Sequence, residues 1–260
     1  MDQVQGDPEL SVHGAGYLWY LTLNMDGVPA LANQNLRLAL THAIDRTSIV
    51  EDVVKDGSLA TYTAVPPQFA TGPDGSDFSE DQTMFQDVCS DDPAKAAEYF
   101  EAAKEELGQD TFTFQLLVED TTESQNVAAV TMEIKVEPKK QRVEDIQEGN
   151  YEVCLTRWGP DYADPMTYLN MWITDNNNNY GKWSNAEYDA IIADCTTGQY
   201  VSDASARWQA LYDAEKIIMD EAVIVPVYTK ADACMIKSNV TGVDFHPVAL
   251  NRVFKSATKG

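Results

Sequence analysis

Between Leu155 and Leu169 the chain gathers Trp158, Asp161, Tyr162 and Asp164 among the turn-formers Gly159, Pro160 and Pro165. Two kinds of chemistry fit these residue types. A single aspartate beside aromatic rings pairs with a cationic group on a ligand through a charge-assisted hydrogen bond, while the rings offer a contact surface tolerant of shape. Two carboxylates three positions apart, Asp161 and Asp164, would instead serve as acid and base in a hydrolase. Ordinary turn chemistry ahead of a proline produces the same spacing. Recognition without reaction is the expectation, because the surrounding loops carry Tyr180, Trp183 and several asparagines but no nucleophile paired with a base.

No other constellation competes. The three histidines, His13, His42 and His246, lack the H-x-x-x-H and H-E-x-x-H spacings of metal sites. The chain has no G-x-S-x-G, no G-x-G-x-x-G and no phosphate-cradling P-loop. No catalytic residue, metal or cofactor is therefore assigned. His42 falls in a helical pattern and is expected on a helix surface or packed. Trp172 and Trp208 lie in apolar helical patterns and are assigned to the core, whereas Trp158 and Trp183 flank turns and suit either packing or ligand contact.

The 260 residues are 44% hydrophobic, enough for a substantial core in one large domain or two small ones. Asp+Glu 42 against Lys+Arg 18 gives a net charge of −24, which repels nucleic acid and anionic membranes and favours solubility. No apolar run approaches the roughly 18 residues that span a bilayer. The N-terminus shows neither the basic and apolar regions of a secretion signal nor a lipid-attachment cysteine, which suits a cytoplasmic protein or an excised piece. Four cysteines, Cys89, Cys154, Cys195 and Cys234, are scattered without C-x-x-C spacing. They leave three disulfide pairings open, with free buried thiols expected at Cys154 and Cys195.

The elements that must position the aspartate loop follow from periodicity. Tyr17 to Asn24 is rich in aromatic and aliphatic residues and reads as a buried strand. A helix from about Asn35 presents Leu36, Leu40, Ala43 and Ile44, and a second, capped by Asp45 and stopping at Gly57, presents Ile49, Val50, Val53 and Val54. Residues 58–90 are mostly loop. Asp92-Pro93 starts a helix whose Ala96, Ala97, Phe100, Ala103 and Leu107 share a face before Gly108. Strands are expected at Phe112–Val118, Thr131–Glu137 and Tyr151–Thr156, with a helix from Pro138 to Gly149 between the last two. Later helices near Asn185–Cys195 and Asp203–Asp220 precede a strongly β segment, Ala222–Tyr228. Asn176 to Asn179 reads as an exposed polar turn. The alternation makes the chain α/β. Glu123 to Val130 starts like a helix and stops early, leaving a short connection between two strands expected to run parallel.

Six segments, taken in order, resemble the C-terminal half of the oligopeptide-binding proteins of bacterial ABC importers, extracellular solute-binding family 5. They are Asn35–Arg46, Val65–Pro67, Asp92–Ala97, Gly149–Val153, Trp158–Leu169 and Trp183–Asp189. The resemblance spans about residues 12 to 250. It implies a type II periplasmic-binding-protein-like lobe, a mixed β-sheet flanked by helices, taken from a longer chain that closes on its ligand by hinge motion. On that basis residues 1–14 lead in from a missing N-terminal lobe, 15–221 form the ligand-binding lobe, and 222–260 return toward the hinge.

In the family the first aspartate of the loop receives a peptide's α-ammonium, which implies Asp161 here. Trp158, Gly159, Pro160, Tyr162 and Trp183 are implied as further ligand contacts. An arginine that some members direct at peptide carboxylates is replaced by Leu155, with Arg157 two residues on. The helix begun at Glu123 is several turns longer in the family. The implied partners are a peptide, the N-terminal lobe and a membrane permease, and the implied location is the periplasm or a lipid-anchored cell surface. A nickel chelate, an oligosaccharide or a signalling peptide are alternative solutes on the same architecture. A glycoside hydrolase using Asp161 and Asp164 is the alternative of a different class.

Overall fold

The computed structural model describes residues 6–122, 124–125, 133–248 and 251–260. Its centre is a six-stranded mixed sheet, ordered β2-β6-β1-β5-β3-β4. The strands are β1 (Leu10–Leu23), β2 (Leu59–Ala60), β3 (Gln115–Glu119), β4 (Glu133–Glu137), β5 (Val153–Trp158) and β6 (Ile224–Met235). β1 pairs antiparallel with β5 and β6, whereas β3 runs parallel to both β4 and β5. Two short two-stranded ladders follow, joining β7 (Val240–Thr241) to β10 (Thr258–Lys259) and β8 (Asp244–Phe245) to β9 (Arg252–Val253).

Strand alternation divides the core in two. Leu18 and Tyr20 of β1 and Ile224 of β6 belong to one apolar cluster, and Trp19, Leu21, Val225 and Val227 belong to the other. Helices α1 (Gln34–His42), α2 (Arg46–Ser48, continuing as a π-helix over Ile49–Val54) and α3 (Pro93–Leu107) cover the second face. Helix α4 (Lys139–Glu148) packs Ile146 on Leu117 and Cys154, and α5 (Met166–Leu169), α6 (Ala186–Thr196) and α7 (Ala204–Asp220) cover the first face. Sheet between helical layers is the expected α/β solution for burying both faces.

Local chemistry sets the helix ends. Asn33, Asp45, Asp92, Asn185 and Asp203 each accept backbone N–H bonds at an N-terminus, and Gly108 and Gly149 close α3 and α4 in the left-handed region. The helix expected to stop at Gly57 ends earlier, at Val54, because Lys55 takes the left-handed cap at φ 52°. Asn176 to Asn179 is not uniformly exposed. Asn179 is buried, and its Nδ2 donates to the carbonyls of Ile173 and Trp183, so the turn is tied inward. The strand expected at Thr131–Glu137 is seen as Glu133–Glu137. It is an edge strand, and Ile134 and Val136 are exposed rather than buried. Thr131, Met132 and most of the expected Glu123–Val130 helix start lie outside the described residues. His42 is packed: it is buried, stacks on Tyr99, and its Nδ1 lies 3.1 Å from the Ser90 carbonyl. All four cysteines are free, and burial pushes the Cys154 thiol up to about 12.

Two stability predictions follow from charge. With −24 on one chain, the melting temperature should rise between low and high NaCl, since the Debye length falls from about 10 Å at 0.1 M to about 3 Å at 1 M. A flat or falling melting temperature would count against self-repulsion. The second concerns Glu215 on α7, which is buried and accepts a 2.8 Å bond from the Val65 N–H. Desolvation dominates these bonds and pushes its carboxyl from 4.5 up to about 8. A raised folded-state pKa means that its stabilisation is complete below 4.5 and is lost as pH climbs through 8, an upper bound of roughly 5 kcal/mol. Melts of Glu215→Gln and wild type should converge near the acidic end of that window and separate toward its alkaline end, with the variant more stable. Parallel curves would refute it.

Candidate functional site

The site loop begins where β5 ends. β3, β4 and β5 are parallel, so their C-terminal ends lie at one edge of the sheet, the edge where open α/β sheets present ligand-binding crevices. β1 enters at the same edge, with Leu18 opposite Trp158. Just before that pair, β1 bulges against β6: Gly14 opposes Ala231 and Leu18 opposes Thr229, so three residues face one. The bulge holds Gly16 at φ 68°, with its backbone against the Pro160 ring. A Cβ on Gly16 would come within 2.5 Å of the Pro247 carbonyl oxygen, so only glycine fits there. Tyr17 lies over Gly159, whose own Cβ would come within 2.4 Å of the Tyr17 ring.

The rest of the loop is tied down on its far side. Asp164 forms a bidentate ion pair with Arg207 of α7 at 2.8 and 2.9 Å. Its Oδ1 also accepts the Met166 N–H at 2.9 Å, the Asx turn that its place before Pro165 suggests. Arg207 Nε donates to the Cys195 carbonyl at 3.0 Å, which fastens the loop to the end of α6. The Asp161 N–H donates to Thr167 Oγ1 at 3.0 Å, and the Tyr168 hydroxyl donates to the Gly16 carbonyl. A cavity of about 390 Å³ opens beside Tyr162, Asp164, Met166 and Arg207.

The expected site residues fall into three groups. Asp161 and Tyr162 are exposed, and no described residue bonds to the Asp161 carboxylate. Trp158, Gly159 and Pro160 form the loop's inner wall: Pro160 is buried, Trp158 packs on the first core cluster, and its indole Nε1 is buried without a partner among the described residues. Trp183 belongs elsewhere. It is buried, meets Tyr188 edge-on, and donates from Nε1 to Glu221 Oε2 at 2.7 Å, while Asn185 holds the other Glu221 oxygen at 2.9 Å. Its place between turns gave no hint of that acidic partner far along the chain.

Sequence reasoning missed Gly16, Tyr17 and Arg207, which lie 43 or more residues from the loop parts they hold. It also missed a charged group beside the loop. Glu119 at the end of β3 sits 3.3 Å from both Arg142 Nη2 and Arg157 Nη1, and Arg157 lies 4.8 Å over the Trp19 ring. The arrangement thus offers, on a rigid loop flanked by rings, one carboxylate with no described partner. Such an edge suits a ligand with a cationic end.

Residues 1–180 match the family model for bacterial extracellular solute-binding proteins, family 5 Middle. A dipeptide-binding protein of Lactococcus lactis subsp. cremoris is 31% identical over 245 residues, covering 89% of this chain and 44% of the relative. The crystal structure of an oligopeptide ABC transporter substrate-binding domain from Bacillus anthracis str. Ames superposes with a TM-score of 0.83 at 32% identity, over 99% of this chain and 52% of that one. A solved peptide-binding protein of a peptide ABC transporter matches with a TM-score of 0.73 at 30% identity, over 85% of this chain and 100% of that one. The chain spans about half the length of the curated relatives that it matches along most of its own length. No described helix is long and apolar enough to cross a membrane.

Proposed function

The chain belongs to family 5 of the bacterial extracellular solute-binding proteins, and from that premise we propose that it is the C-terminal lobe of a peptide-capturing component of an ABC importer. One observation carries this reading: Asp161 presents a carboxylate with no partner among the described residues on a loop braced from both sides, at the sheet edge where a crevice would lie. The ligand is an extended peptide. Its α-ammonium meets Asp161, its main chain is held by hydrogen bonds as an added strand, and Tyr162 and Trp158 supply a tolerant surface. Residues 15–221 supply this half of the cleft, 222–260 return toward the hinge, and an N-terminal lobe preceding residues 1–14 supplies the other half. The loaded protein delivers peptide to a membrane permease from the periplasm or cell surface.

The role is binding rather than catalysis. Asp164 spends both carboxylate oxygens on Arg207, so an acid–base pair with Asp161 would have to break that fork first. The reading is tested by mass spectrometry of ligands carried through purification by a full-length protein that contains this lobe. Peptides with free amino ends are expected, and a sugar or metal chelate would replace the reading. The 260 residues alone should bind free peptides only at about millimolar Kd or weaker, because pockets normally bury most of a ligand and half the enclosure is absent. Micromolar affinity in titration calorimetry would place the whole cleft within this chain.

A further inference from the structure

Three elements enclose the cavity of about 390 Å³ beside the aspartate loop. The loop and the start of α5 give Tyr162, Asp164 and Met166, the end of α6 gives Cys195, and α7 gives Arg207, with Val201 from the turn between the two helices. Met166 and Cys195 form a buried apolar floor, whereas Tyr162 and Val201 stand exposed at the mouth. Asp164 and Arg207 are the charged residues of this lining among those described, with side chains 30% and 24% exposed. Their charges face each other across the two bonds of the fork, and Arg207 Nε is spent on the Cys195 carbonyl. The wall is therefore polar yet carries no net charge.

A peptide held at Asp161 by its α-ammonium brings its first side chain to this mouth. The ammonium nitrogen lies about 1.5 Å from the first Cα, and a charge-assisted bond to the carboxylate spans about 2.8 Å, so the first Cβ falls within roughly 6 Å of Asp161. Tyr162 is the next residue, its Cα about 3.8 Å along the chain. Burial holds the Tyr162 hydroxyl above its usual pKa, and the charges of Asp164 and Asp161 push it the same way, which puts both carboxylates within electrostatic reach of the mouth. We propose that the cavity receives the peptide's first side chain and takes an uncharged, apolar one, and that Arg207 sets this choice by neutralising Asp164. The assignment rests on Asp161 as the ammonium receptor. A lysine or glutamate side chain entering the cavity would leave water for a wall whose charges are already committed to each other, with no partner to offset the desolvation. A leucine or phenylalanine would instead bury its surface against Met166, Val201 and the Tyr162 ring. The volume, near the lower end of the roughly 300 to 1,000 Å³ of ligand pockets, suits one such side chain.

The test titrates a full-length protein carrying this lobe with tripeptides alike but for a first residue of leucine, lysine or glutamate, in calorimetry at about 0.15 M NaCl, where charge is screened beyond about 8 Å. The leucine peptide is expected to bind at least about tenfold more tightly than either charged one. Removing one partner of the fork leaves the other's charge in the wall. Arg207→Gln should therefore raise the ratio of lysine-peptide to glutamate-peptide affinity by about tenfold or more. Asp164→Asn, which keeps an oxygen for the Met166 N–H, should lower that ratio by about the same factor. A damaged loop alone would weaken every peptide in both variants and leave the ratio in place. Lys216→Gln and Asp220→Asn, in an exposed pair farther along α7, should hold the ratio within about twofold of the wild type. An unshifted ratio, a shift of one sign in both variants, or equal binding of all the peptides by the wild type would overturn the proposal and leave Asp161 as the ammonium receptor. Failure of every free peptide to bind the wild type would remove both. If Arg207→Gln does not fold, Asp164→Asn decides it.

Discussion

Asp161→Asn is expected to weaken peptide binding by at least about thirtyfold in a full-length protein carrying this lobe. Losing one partner of an enclosed charge pair typically costs about 2 to 5 kcal/mol, and closure of a second lobe would exclude the water that screens this one. The carboxylate enters with no described partner to give up, so little of the new contact is offset by an old one. N-acetylation of the peptide deletes the same ion pair from the other side. It should weaken the wild type to a similar degree and add little to the loss in the variant, the non-additivity of two changes that remove one contact. Calorimetric titration of free and acetylated peptides against both proteins measures the four affinities. Equal affinity of the wild type for free and acetylated peptide would remove Asp161 as the ammonium receptor.

Arg46→Met is expected to cost about 3 to 5 kcal/mol of folding stability, the usual penalty for leaving a buried ionic network without one member. The Arg46 side chain is fully buried. Its Nε donates to the Pro226 carbonyl at 2.7 Å, its Nη1 to Asp91 at 2.8 Å and its Nη2 to the Thr41 carbonyl at 3.1 Å. Tyr62 completes the group, donating to Asp91 while its ring lies 5.2 Å from the guanidinium carbon. Methionine fills a similar volume but takes the donor from the Pro226 and Thr41 carbonyls and leaves the Asp91 carboxylate without its charged partner. Arg46→Lys should recover only part of the loss, since an ammonium lacks the planar fork that reaches three separate acceptors. Guanidinium denaturation with an unchanged m-value reads the difference. A loss below about 1 kcal/mol would show that water or a rearranged chain satisfies those acceptors.

The two arginines of the Asn35–Arg46 segment show how far a motif reaches. Sequence placed them on a helix with an apolar stripe, where a charged residue is ordinarily solvent-facing. In the fold Arg37 is buried as well, and it donates to the carbonyls of Leu31, Ala32, Glu221 and Ala222, so both side chains fasten the helix region to distant backbone. Nothing within a few residues of either position signals this, because their acceptors are up to 185 residues away.

Features written in neighbouring residues were legible. The Asp92 cap, Pro93 and Gly108 bound α3 as expected, Asp164 makes its Asx turn, and the β segment beginning at Ala222 becomes a strand of the central sheet. Each depends on side chains meeting the backbone two or three positions away, or on an apolar period intrinsic to the element. What depends on register and long-range packing was not legible. The β1 bulge aims Gly16 and Tyr17 at the loop, and Arg207 meets Asp164 only because α7 packs beside it. Trp183 turned to Glu221, and Ile134 and Val136 were left exposed at a sheet edge. The sequence by itself determined the α/β pattern and marked the aspartate loop. Tertiary structure alone decided that Arg207 clamps Asp164 and that the Asp161 carboxylate meets no described partner, because that depends on which distant side chains packing brings within hydrogen-bond reach.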